Sequence, residues 1–318
     1  MRPEGRRQVR SFVLAASAVL ACWCVLAGGP GVGRCADTPG EPPGADRLPT
    51  GARQSATAAL MRAARQDFEA SRFAAASGKL EELLKRDLAQ VERADAYVLL
   101  CESRLRQGEF ALAESLAVAA RTSGRISHEA ALERLGFLRG EILYFSGDAQ
   151  RATNEYITFL EDNLESRFLN DAVERLLLID ENAGSNPGPL AAYARAELAE
   201  EAGAPDSALV VLDGILKDPS SPLVADDALA KKADVLRGMR KFSEAVTQYR
   251  LMEVRFPQSR LVPGCKLKIA ELYAVELGEK EKAVAECEEI AKGFPGTSYA
   301  VEARALLNKL AGAGKDAK

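Results

Sequence analysis

The chain has 318 residues and a mass of 34.1 kDa, with alanine at 55 positions, leucine at 40, aromatics at 6%, six cysteines and one histidine. Such a sequence, without alternating runs of Val, Ile and Thr, reads as all-α, and a lone His128 beside Glu129 argues against a zinc site or a histidine-based catalytic centre, which need several ligands converging. The formal charge of −4 divides unevenly, +4 on residues 1–35 and −8 on the remainder, so the globular part is expected to repel nucleic acid and anionic membranes.

The first element is an address. Arg2 to Arg10 form a basic stretch, and Ser11 to Gly29 is an uncharged run of 19 residues rich in Ala, Val and Leu. Residues 1–36 are therefore expected to be a signal peptide or an N-terminal membrane anchor that directs the chain to the periplasm or cell envelope. Three processing routes fit: cleavage near Val25-Leu26-Ala27, lipidation of Cys22 after Val19-Leu20-Ala21, or retention of the span as an anchor. Gly31, Gly33 and Ala36 match a dinucleotide-binding spacing, but no strand precedes them and no helix follows, so no cofactor is expected. Residues 37–53, with Pro39, Pro42, Pro43 and Pro49, read as a disordered Pro/Gly-rich linker, and residues 312–318 as a disordered tail.

Between these ends, residues 54–311 repeat one pattern. An amphipathic helix leads to a short turn, an aromatic or apolar residue follows, and an alanine opens a second helix. The turns are Ser71-Arg72-Phe73, Gly108-Glu109-Phe110, Gly147-Asp148-Ala149, Gly203-Ala204-Pro205, Arg240-Lys241-Phe242 and Gly278-Glu279-Lys280. The alanines after them, Ala76, Ala113, Ala152, Ala208, Ala245 and Ala283, are spaced by 37, 39, 56, 37 and 38 residues. A period in the high thirties means a solenoid of about six antiparallel helix hairpins. Each first helix carries a small residue: Ala64, Cys101, Gly140, Ala196, Ala233 and Ala270. Small residues are needed there because two helices approach closely only where small side chains meet at their crossing. The long interval contains an extra apolar-striped helix near residues 166–182 (Phe168, Ala172, Leu176, Ile179), where the solenoid is expected to break or change curvature. Ser221 before Pro222 marks a helix start.

These turns, crossing alanines and the helix-ending Phe256-Pro257-Gln258-Ser259 and Phe294-Pro295-Gly296-Thr297-Ser298 resemble the tetratricopeptide repeat (TPR) family, in its bacterial envelope subgroup of barrel-assembly lipoproteins and Tol-Pal accessory proteins. The resemblance implies a right-handed superhelix that binds proteins or peptides and performs no catalysis. It also implies that first helices line the concave face. One residue past each crossing residue stand Arg65, Glu102, Glu141, Glu197, Asp234 and Glu271, which should form a carboxylate row along that groove. Phe68, Val98, Leu105, Phe137, Tyr144 and Tyr193 fall on the same face. Two readings stand side by side: a groove for a partner segment carrying Lys or Arg, anchored on Phe137, Tyr144 and Tyr193, or an ordinary solvated helix face. The row's sign argues against capture of a partner's C-terminal carboxylate. Two further roles remain open, an accessory subunit that positions an envelope-assembly or peptidoglycan enzyme, and a module that self-associates through the terminal helix Ser298 to Leu310.

Cys265 and Cys287 lie nearly level on the two helices of the last hairpin, so they read either as a disulfide or as two buried thiols.

Overall fold

A computed structural model describes residues 50–312 apart from 125, 183 and 185. The signal or anchor segment with Cys22, most of the linker and residues 313–318 lie outside the described residues. Residues 50–53, expected in the linker, belong to the first helix.

The described residues form an all-α solenoid without strands. Hairpins one to three are α1 (Thr50–Glu69) with α2 (Phe73–Leu84), α3 (Gln90–Arg106) with α4 (Phe110–Thr122), and α5 (Glu129–Phe145) with α6 (Ala149–Asp162). A lone helix α7 (Leu169–Asn182) follows. Hairpins four and five are α8 (Gly188–Glu201) with α9 (Pro205–Lys217) and α10 (Ala225–Gly238) with α11 (Phe242–Arg255). The sixth pairs α12 (Val262–Glu271), prolonged by a π-helical turn at Leu272–Glu276, with α13 (Lys280–Gly293), and α14 (Ser298–Gly312) ends the stack. α10 begins at Ala225 and not at Pro222, because the Ser221 hydroxyl turns back to donate to Asp218 Oδ2 at 3.0 Å.

The crossings are tight. All six alanines that open second helices are fully buried, as are Ala64, Cys101, Ala196, Ala233 and Ala270. Cys101 Sγ lies 3.4 Å from the Ala113 carbonyl oxygen, which places the crossing pair in direct contact. At Gly140 an added Cβ would sit 2.6 Å from Tyr156 Cδ1, so hairpin three accepts no side chain there.

The turns are built alike. The residues Ser71, Gly108, Gly147, Gly203, Arg240 and Gly278 all have left-handed φ, between 57° and 87°. The residue after each of the first five donates its N–H to the carbonyl five positions back, as in Arg72 to Asp67 and Glu109 to Arg104, which closes the helix end. In the sixth turn Glu279 reaches six positions back, to Tyr273. From crossing residue to left-handed residue the chain takes seven steps in five hairpins and eight in the last, and the π-helical turn absorbs the extra one.

The long interval redirects the chain. α7 packs Ala172, Leu176, Leu178 and Ile179 into the core, and α8 then crosses the turn ends of the first three hairpins. Near its start Ala191 faces Gly147; further along Glu197 bonds Tyr144, Glu201 pairs with Arg106 at 2.8 Å, and Gly203 meets Ser71. From Ala191 to Gly203 a helix rises about 18 Å, two helix-packing distances, which is the span from hairpin three to hairpin one.

Candidate functional site

A concavity of about 720 Å³ opens where α5, α7, α8, α10, α12 and α14 face one another. Phe137, Glu141, Tyr193, Glu197, Asp234 and Glu271 line it together. Phe68, Glu102, Leu105 and Tyr144 are not among its lining residues, because α8 crosses between the turn ends of the early hairpins and the groove.

The aromatic anchors need correction. Phe137, Tyr144, Tyr193 and Leu105 are buried, and Phe68 is half-buried, edge-on to Phe73. Phe137 stacks on Phe168 with ring centroids 5.1 Å apart, while the Arg134 and Arg167 guanidinium groups lie 4.8 and 4.6 Å from the centre of the Phe168 ring. These rings hold helices together; they do not await a partner.

The carboxylate row also differs from a free acidic stripe. Four of its five carboxylates are bound by bases from the helix two elements further along the chain. Arg134 donates to Glu102 at 2.8 Å, Arg175 to Glu141 at 2.9 Å, and Lys268 to Asp234 at 2.7 Å, while Lys231 stands 4.0 Å from Glu197 and 2.6 Å from Glu200. Three of these acid-to-base intervals are 34 residues, a regularity present in the sequence but absent from a search for one-residue-wide rows.

Arg175 of the lone helix is the centre of this ladder and was missed by the repeat pattern, since α7 belongs to no hairpin. Its Nε and Nη2 donate to Glu141 Oε1 and Oε2 at 2.9 and 3.2 Å, and its Nη1 donates to Glu197 Oε2 at 2.8 Å. Tyr144 donates to Glu197 at 2.7 Å and Tyr156 to Glu141, and the guanidinium lies 4.4 Å from the Tyr144 ring centre. Burial works against the Arg175 charge, but Glu141 and Glu197 hold it firmly protonated, and burial followed by the nearby carboxylates pushes both phenols well above their ordinary value. Glu141 and Glu197, each 8% exposed, are therefore internal struts and not groove ligands.

What stays open to solvent is different. Asp171 and Glu174 on α7 and Glu302 on α14 line the groove, are exposed, and have no hydrogen-bond or ion-pair partner among the described residues. Glu271 is half exposed, with Arg237 only at 3.9 Å. By contrast every groove base is engaged: Arg175, Lys231 and Lys268 in the ladder, Arg237 between Asp234 and Glu271, and Arg260 on Glu181 at 2.9 Å. Asp171, Glu174 and Glu302 escaped the sequence reading because they sit on helices outside the hairpin register.

Cys265 and Cys287 are free thiols, which corrects the disulfide reading: level along the hairpin, they turn into different apolar clusters, one with Tyr249 and Met252, the other with Ile290 and Ala303. Burial pushes Cys265 up to about 12 and Cys287 to about 11, so neither presents a thiolate. His128 is exposed at the N-cap position of α5. Among the described residues no group of three or more His, Cys, Asp or Glu is placed to hold a metal ion, and no helix is long and apolar enough to cross a membrane.

No protein-family model matches the sequence, and no curated protein matches it. Solved structures similar to it include TPR proteins. The TPR2AB domain of yeast Sti1, in complex with pHSP90, is 14% identical with a TM-score of 0.34, over 81% of this chain and 99% of that one. A TPR protein from Parabacteroides merdae is 17% identical with a TM-score of 0.32, over 80% and 98% of the two chains. The hairpins, their small-residue crossings and their left-handed turns make the described residues an all-α helical repeat fold.

Proposed function

We propose that this chain is a non-enzymatic protein-interaction scaffold of the bacterial envelope that holds a partner segment bearing Lys or Arg in the groove between α7, α10, α12 and α14. One observation carries the reading: every base in the groove is engaged internally, while Asp171, Glu174 and Glu302 are exposed and unpaired among the described residues. Export to the envelope rests on the basic Arg2 to Arg10 stretch and the uncharged run after it.

The test is photocrosslinking in intact cells with a reactive residue at Glu174 or Glu302, followed by mass spectrometry. The expected product is one discrete envelope protein captured through a basic segment. Capture should fall at least tenfold when Glu271→Lys and Glu302→Lys are combined with the probe at Glu174, and should weaken as salt rises. Undiminished capture in that double variant, or adducts only from a probe at Val301 on α14, overturns the groove assignment. Glu141→Lys is unsuitable for this purpose, because it breaks the buried Arg175 network and so tests folding.

A further inference from the structure

The seam between α7 and α10 contains a buried carboxyl–carboxamide pair. Asn182, at the end of α7 and 4% exposed, donates from Nδ2 to the Leu178 carbonyl at 2.9 Å and to Asp227 Oδ2 at 3.0 Å. The bond to Leu178 fixes the amide orientation, since only the NH₂ group can donate to a carbonyl. Asn182 Oδ1 is then buried with no hydrogen-bond partner. Its neighbour Asp227 is itself buried in the first turn of α10, and an ionised carboxylate has no proton to give.

We propose that Asp227 is a protonatable latch: as the neutral acid it donates its O–H to the orphaned Asn182 Oδ1 and closes a two-hydrogen-bond pair across the seam, and when it ionises that bond is lost and the seam loosens. The proton goes to solvent and nothing else changes covalently. The charged and titratable groups around Asp227 are Glu181 on α7, Asp226 on its own helix, Tyr193 on α8 and Arg260 in the loop before α12. Glu181 and Asp226 oppose ionisation and Arg260 favours it, but Arg260 is committed to Glu181 at 2.9 Å, and Asp226 accepts from Ser259 at 2.7 Å. Burial, the largest influence, pushes the Asp227 carboxyl up to about 6. A value raised in the folded chain means that the associated stability is fully present below the ordinary 3.8, is lost as pH rises through about 6, and stays lost above it. Because α7 and α10 both line the groove, the latch makes the groove's rigidity depend on mildly acidic pH.

The experiment is a carboxyl-carbon NMR titration of the full chain, with Asp227 assigned by its absence in Asp227→Asn, alongside hydrogen exchange of α7 and α10 at pH 5 and 7.5 corrected for intrinsic rates. The Asp227 carboxyl is expected to titrate near 6, and the Asn182 side-chain amide should move with the same midpoint. Wild-type α7 amides should exchange several-fold faster at pH 7.5 than at pH 5. Asp227→Asn, whose amide can both donate and accept, should remove that difference at the protected level. An Asn182 amide that does not follow Asp227, or an Asp227→Asn protein that keeps the wild-type pH dependence, overturns the latch. Neither readout depends on a partner, so this test stands apart from that of the groove.

Discussion

Arg175 illustrates how much one side chain from outside the repeat can decide. Two carboxylates buried on adjacent helices would repel each other, and one guanidinium bonding both converts repulsion into attraction. Removing it as Arg175→Met keeps the volume but leaves Glu141 buried without a counter-charge and Glu197 with only Lys231 at 4.0 Å, which should cost about 3–5 kcal/mol and lower Tm by roughly 10 °C in a thermal melt. Adding Glu141→Gln and Glu197→Gln should restore most of the loss, because an amide oxygen still accepts from Tyr144 and Tyr156. A triple variant no more stable than Arg175→Met would show that packing, not charge, is at stake. In the sequence Glu141 and Glu197 fall in one row, since periodicity fixes which helix face a residue occupies. It could not show that the face is closed, because the residue closing it belongs to an element without a repeat counterpart. Tyr144 and Tyr193 were misread for the same reason: they share the acidic face, and their rings are buried by neighbouring helices.

At the scale of the element, crossing residues and turns were legible because each depends on a local requirement: a small side chain at contact, a left-handed residue at the helix end. The π-helical turn in the sixth hairpin was legible only as an extra residue. Aligning Ala233–Arg240 with Ala270–Gly278 leaves one surplus position, and Val275, 69% exposed, is the natural candidate. Deleting Val275 should let Leu272–Glu276 relax into an α-turn with Leu272 and Tyr273 still buried, and change stability by no more than about 1 kcal/mol. Deleting Gly238, at the matching place in hairpin five, leaves that hairpin one residue short and should lower Tm far more. Circular-dichroism melts of the two deletions decide the matter. Equal losses would mean that the surplus residue is required by the packing and not merely accommodated.

For the whole molecule, the decisive event is the reversal at α8. Composition and spacing located the irregularity through its 56-residue interval, but a crossing helix is set by contacts between segments 44 to 132 residues apart, which no local pattern encodes. Ser71 and Gly203 are such a contact. Both occupy equivalent left-handed turn positions, in hairpins one and four, and a Cβ on Gly203 would lie 2.8 Å from Ser71 Oγ and 3.2 Å from its Cβ. Gly278 has the same conformation, φ 66° against 77°, with nothing within 4 Å of an added Cβ. Gly278→Ala should therefore cost only the left-handed strain, about 1 kcal/mol, while Gly203→Ala should cost about 1–3 kcal/mol more through overpacking. Ser71→Gly removes both opposing atoms, so a double-mutant cycle should return that excess as coupling between Gly203 and Ser71 and none between Gly278 and Ser71. Urea unfolding of the six proteins measures each corner. Equal costs at Gly203 and Gly278, with zero coupling, would mean that the two turns do not touch in solution and that hairpin four is free to swing away from hairpin one.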